Sequence, residues 1–318
     1  MISPYSDLAL EAARMAETQK GETIPGLQEE EERVNGVVLN RIKITTEEAA
    51  RDIGKVIGDY YTINAPNLRE RNREAQKELA EIISGEISRL LPFADKEEPT
   101  TFVVGLGNWR ATPDALGPKV IGNLLMTRHL FWETPPELRH GMTPVCGIAP
   151  GVLGLTGIET GEIIRSIVEQ IQPDLVLVID ALAAMNMERL GATVQISNAG
   201  IAPGSGVGGR RLAINQETMG VPVLAMGVPT VVHGWVLASE ALSEFQNQAR
   251  NLKGVGPLSD QLRNSILEKL FAPFGHEAVL TPKGIDEMIA EVSWTLAGAV
   301  SVALHPDINA DNLSLYLY

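Results

Sequence analysis

A chain of 318 residues with 44% apolar and 21% charged side chains has the composition of a globular protein able to bury a sizeable core. Its formal net charge of −14 repels phosphate backbones and argues against nucleic acid as a partner. The single cysteine, Cys146, excludes an intramolecular disulfide and a cysteine-rich zinc site.

The first residues, MISPYSDLALEAARMAETQ, lack the basic stretch and apolar core of a secretory signal. No apolar run approaches the ~20 residues that cross a bilayer, so a soluble protein of a reducing cytoplasm is expected. Residues 1–35 are acidic and helix-prone, and the run Glu29–Glu32 reads as a solvated face or connector. A strand follows from Gly36 to Ile44, then a short helix, TTEEAARDI, with Thr45 or Thr46 as its cap. Residues 68–91 read as a longer amphipathic helix.

Beyond PFADKEEPT the pattern becomes strands alternating with helices. TFVVGLG (101–107) is an apolar strand, and residues 115–130 read as a helix with Pro118 in its first turn. TPVCGIAPG (143–151) is a buried strand, with Cys146 an inert thiol inside it. Ile163, Ile164, Ile167, Val168 and Ile171 form one stripe of a helix opening at Thr160. DLVLVIDAL (174–182) is a fully apolar strand, ATVQISNAG (192–200) an edge or antiparallel one, and VPVLAMGVPTVV (221–232) a further buried strand. Helices then dominate near 234–250, 259–272 and 282–304. Apolar strands joined by helical crossovers predict a three-layer α/β/α fold with a mostly parallel sheet, carrying N- and C-terminal additions.

Two acids stand where such a sheet displays functional groups, beyond the carboxyl ends of its strands. Asp114 lies in the loop GLGNWRATPDALGP after one strand, and Asp180 closes another, DLVLVID. Two close carboxyls share one proton, so one can activate water while the other donates to carbonyl or leaving amine. Taken locally, Asp114 equally fits a helix N-cap and Asp180 an acid exposed at a strand end. Lys119 lies within reach of Asp114, and equally fits a solvated helix face. Trp109 and Trp235 fit either a substrate groove or ordinary packing.

Long blocks now narrow the choice: GLGNWRATPDALGPKVIGNLLMTRHLF, APGVLGLTGIETGEII, PDLVLVIDALAAMNMERLGATVQISNAGIAPGSGVGGRR, MGVPVLAMGVPTVV and the C-terminal LFAPFGHEAVLTPKGIDEMIAEVSWTLAGAVSVALH. Together with the N-terminal SDLALEA they closely resemble the spore germination protease family across nearly the whole chain. That resemblance implies a phosphorylase/hydrolase-like fold and an atypical aspartic-type endopeptidase that needs no cofactor. It also implies small acid-soluble spore proteins as substrates and the spore core as location. The family's essential aspartates fall on Asp114 and Asp180. It further implies a homotetramer and a zymogen that loses a short segment, here residues 1–7, by self-cleavage next to Asp7-Leu8, leaving one protease domain over 8–318. The pattern departs at His233, where the family carries an acid, and the stretch Gly234–Leu258 is shorter.

Other residues offer contacts to substrate. The loop Gly204-Ser-Gly-Val-Gly-Gly209 before Arg210 and Arg211 could hold acidic substrate groups on backbone amides, so Gly206, Gly208 and Arg210 join Asn108 and His233 as candidate substrate-binding residues. The same loop equally reads as an irregular surface turn, and His233 as a cap of the next helix. GLGN followed by an acid is also similar to hydrogenase-maturation endopeptidases, which bind nickel through two acids and a histidine. Asp114, Asp180 and His233 or His140 would be the corresponding ligands, although no histidine has a recognised ligand spacing. No P-loop, complete dinucleotide fingerprint or GxSxG elbow is present.

Overall fold

The structure, a computed structural model, describes residues 6–93, 96–139, 141–202, 212–249, 258–273 and 278–316. Among these, nine strands make one sheet: β1 (Leu27–Val34), β2 (Val37–Ile44), β3 (Gly58–Asn64), β4 (Thr101–Gly105), β5 (Val145–Ile148), β6 (Leu175–Ala184), β7 (Thr193–Ser197), β8 (Val223–His233) and β9 (Val279–Leu280). The order is β1-β2-β3-β7-β8-β6-β4-β5, with β9 paired to the end of β8. Strands β5, β4, β6 and β8 run parallel, as their near-continuous apolar content requires. From β8 outward through β7, β3, β2 and β1 every pairing is antiparallel, so the sheet is mixed, with its parallel half next to the candidate acids.

The pleat sends alternate side chains to opposite layers. Leu175, Leu177 and Ile179 of β6 pack under one layer, made by α3 (Arg73–Ser88), α4 (Leu116–Asn123) and the helix Ile285–Leu304. Val176 and Val178 face the other, where the helix Thr160–Ile171 lies. On that second face the antiparallel half is covered by α1 (Ala9–Lys20) and α2 (Glu47–Ile53), packed on Ile42, Ile44 and Tyr60. The expected three layers are therefore present.

Of the two caps expected for TTEEAARDI, Thr45 or Thr46, the structure uses Thr46, whose side chain accepts from the Ala49 amide. The helix Ile285–Leu304 has 20 residues and a mean hydropathy of 1.3, enough on length and composition to cross a membrane, but it is mostly buried against the sheet and α3. The sequence reading had found no such run, because acids at its N-terminal end break the apolar stretch.

Several boundaries differ from expectation, each through a tertiary contact. The Glu29–Glu32 run is a solvated face as expected, but of an edge strand, β1, held by Arg41 of β2 reaching Glu30 and Glu32. Charged edges discourage pairing with other sheets. The helix expected over 115–130 stops at Asn123, because Thr127 and Arg128 both donate their amides to the Val145 carbonyl and draw the chain to β5. Of the two readings of β7, edge or antiparallel, the second holds: it lies inside the sheet, antiparallel to both β3 and β8.

Candidate active site

Strand β4 ends at Gly105, opposite Ile179 of β6, while β6 continues to Ala184. The expectation that Asp180 closes its strand is corrected here: Asp180 lies inside β6, at the level where β4 stops alongside it. Loss of that neighbour opens a space above Asp180, and the chain leaving β4 folds around it. The Leu106 amide donates to the Ile179 carbonyl at 2.8 Å, fixing the start of the loop. Gly107, at φ +118°, comes so close to the Asp114 carbonyl that any Cβ would overlap it. Gly117, in the first turn of α4, similarly meets the Leu106 and Ile179 carbonyls, so the helix start sits directly on the strand ends.

Asp114 is therefore brought back over the end of β4, beside Asp180. Its Oδ2 accepts from the Asn108 amide at 2.7 Å. It does not cap the following helix, whose N-cap position is Ala115 with no side-chain hydrogen bond. This bond places Asn108, an expected substrate contact, in the same loop. Asp180 Oδ1 accepts from the Ala181 amide at 2.8 Å. Burial raises the Asp180 carboxyl well above the ordinary carboxylate range, and the charges of Asp114 and then Asp7 raise it further, against the Ala181 hydrogen bond. Burial and the neighbouring charge thus bias Asp180 towards its protonated form, as one member of an acid–base pair requires.

Both acids line one cleft of about 720 Å³, together with Asn108, His233, Gln195, Lys55 and Asp7. His233 ends β8, and its buried Nδ1 has no hydrogen-bond partner among the described residues. The amide that follows it, Gly234 N–H, donates to the Ala278 carbonyl. Trp109 stands half-exposed against Gly151 at the cleft's rim, whereas Trp235 packs with the core around Leu8. The half-buried Cys146 thiol is raised by burial and sits in β5, away from the cleft lining. Gly206, Gly208 and Arg210, with the rest of their loop, and His140 lie outside the described residues. Among the described residues no three His, Cys, Asp or Glu side chains come together as a metal-binding group.

The segment Ser6–Ala9 also lies at this cleft. The Asp7 amide donates to the Ala183 carbonyl at 3.2 Å, and the Ala183 amide returns a 2.8 Å bond to Asp7 Oδ2. Leu8 is fully buried among Leu182, Ala184, Leu190, Val232 and Val236. Lys55 and Gln195, which sequence reading passed over, reach this segment. Nothing in the local pattern marked Lys55, and Gln195 appeared only as the polar position of an alternating strand.

The family model described as germination protease matches residues 6–248 and 235–317. The chain belongs to the germination protease family. It is a peptidase. A germination protease of Caldanaerobacter subterraneus subsp. tengcongensis is 40% identical over 98% of this chain and 98% of its own length. One of Clostridium perfringens is also 40% identical, with both chains covered in full, and one of Geobacillus sp. is 37% identical over all of this chain and 98% of its own. The two matched pieces overlap inside the stretch that reads as shorter than the family pattern, Gly234–Leu258. A solved [NiFe] hydrogenase maturation protease, HycI of Thermococcus kodakarensis, is similar at 17% identity and a TM-score of 0.34, covering 69% of this chain and 98% of that one.

Proposed function

We propose that this germination-family peptidase hydrolyses internal bonds of small acid-soluble spore proteins with water activated between Asp114 and Asp180. One observation carries the reading: Asp114 and Asp180 line the same cleft, where burial and then the Asp114 charge raise the Asp180 pKa. Asp114 takes a proton from water as its oxygen attacks the peptide carbonyl, and Asp180 supplies one to the departing amine. No cofactor is needed for either transfer. The acidic surface suits short, extended substrates better than nucleic acid, and the spore core is the compartment in which such substrates and a reduced Cys146 coexist.

The reading extends to control. The segment Ser6–Ala9 occupies part of the cleft, which fits a zymogen whose residues 1–7 leave after a cut next to Asp7-Leu8. Assembly into a homotetramer completes the proposal.

The test uses a purified acid-soluble spore protein as substrate, with and without a chelator. Asp114→Asn and Asp180→Asn should each lower cleavage by ~100-fold or more, the range general acid–base groups supply, with circular dichroism unchanged. Cleavage by the unsubstituted chain should survive chelation. Near-normal cleavage by either variant removes that aspartate from the mechanism.

A further inference from the structure

Resting on the paired-acid reading, we propose that Lys55 and Gln195 are the groups that hold the scissile carbonyl and stabilise the oxyanion formed there. The observation is how this chain's own peptide lies in the cleft. The carbonyl oxygen of Asp7, which belongs to the Asp7–Leu8 bond, accepts from Lys55 Nζ at 3.0 Å and from Gln195 Nε2 at 3.0 Å. Lys55 Nζ also reaches the Ser6 carbonyl at 2.9 Å, and Gln195 Oε1 accepts from the Ala9 amide at 2.5 Å. Two side chains from separate elements thus converge on one peptide oxygen, with a flanking group on either side fixed as well.

The fold places both donors for this task. Gln195 of β7 is paired with Gly227 of β8, which is paired with Asp180 of β6. Paired residues point to the same face, so Gln195 and Asp180 stand ~10 Å apart at their Cα atoms, two strand spacings, with bare Gly227 between them. A side chain there would meet Leu182 and the Asp180 carbonyl. Lys55 comes from the opposite wall. It follows α2, whose left-handed C-cap Gly54 returns its amide to the Ala50 carbonyl, as Lys55 also does, and this turn sends the lysine into the cleft. Burial lowers the Lys55 ammonium pKa, against the charges of Asp7 and Glu11, and a more acidic ammonium is a stronger donor to a developing anion. Leu8, buried over Leu182 and Ala184 on the same face as Asp180, fixes the bond along the strand.

The step balances as follows. The water oxygen bonds to the carbonyl carbon while its proton passes to the ionised carboxylate. The carbonyl π pair moves onto oxygen, where the Lys55 and Gln195 N–H groups receive it. That pair returns as the carbon–nitrogen bond breaks, and the protonated carboxyl gives its proton to the leaving nitrogen. Donors aimed at the place where charge develops contribute more than those that only bind the ground state.

The experiment measures steady-state turnover of a fluorogenic peptide copying residues 1–14 of this chain by the full-length protein. Lys55→Met and the near-isosteric Gln195→Glu should each lower kcat ~100-fold, the loss typical of one oxyanion donor, with KM changed less than ~3-fold and Tm held. Lys55→Arg should restore part of the rate. Unchanged or faster turnover would overturn the proposal, because side chains that merely tether Ser6–Ala9 release the cleft when removed. A rise in KM at constant kcat would also overturn it. So would refusal of this peptide while an acid-soluble spore protein is cleaved. Asp180→Asn, run in parallel, reports on the paired acids separately: its retention of activity sinks that reading whatever Lys55 does.

Discussion

At Asp180, the burial that suits the proposed acid works against stability at high pH. Its native pKa lies above the unfolded value because burial and the charges of Asp114 and Asp7 all disfavour ionisation. The native state therefore holds this proton more tightly than the unfolded chain. The stability so gained is complete below the unfolded pKa of about 3.9 and is lost as pH rises through the elevated native value. Asp180→Asn, which imitates the protonated form, should therefore raise Tm at pH 8 by ~2 °C or more and leave it nearly unchanged at pH 4. Calorimetry at the two pH values checks this; an equal effect at both would mean Asp180 ionises freely. Asp114 makes a complementary point. A local reading allowed it to be a cap, and only the Gly107 turn and the Asn108 amide turn it towards β6.

Among elements, the packing of β2, the strand expected from Gly36 to Ile44, against α3 illustrates how a strand is fixed in place. Arg41 forms two 2.7 Å bonds to Glu86, and both side chains are nearly removed from solvent. The same guanidinium reaches Glu30 and Glu32, so one side chain joins β1, β2 and α3. Removing one member strands a buried charge, whereas replacing both with apolar groups does not. Arg41→Met should destabilise the chain by about 3–5 kcal/mol in urea unfolding, and adding Glu86→Leu should recover most of that. A double variant as unstable as the single one would show that packing rather than charge burial sets the loss. Strand β3 was passed over in the sequence although GDYYTIN has the aromatic and β-branched content of a strand. Its apolar positions neither alternate strictly nor run on without a break, and pairing with β2 and β7 decides it.

For the whole molecule, the helices Gly234–Ala249 and Asp260–Phe271 pack together and leave Phe245, Leu262 and Leu270 half-exposed. Large apolar side chains grouped on a surface mark association faces, in line with the proposed tetramer. Sedimentation should give several times the 34.3 kDa of one chain, and Phe245→Asp with Leu270→Asp should reduce that mass. A monomer at micromolar concentration would remove the assembly from the proposal.

The apolar strands β4, β5, β6 and β8, the Ile163–Ile171 stripe and the two acids were legible in the sequence. Burial of a strand on both faces demands continuous apolar residues, and an acid set in or just after such a strand is conspicuous. Where each strand stops, which neighbour it lacks and what faces the cleft were decided by tertiary structure. These depend on hydrogen bonds between residues far apart in the chain: Leu106 to Ile179, Lys55 and Gln195 to Asp7, and Thr127 to Val145. Local periodicity carries no record of such bonds, because each joins groups whose partners lie in another segment of the chain.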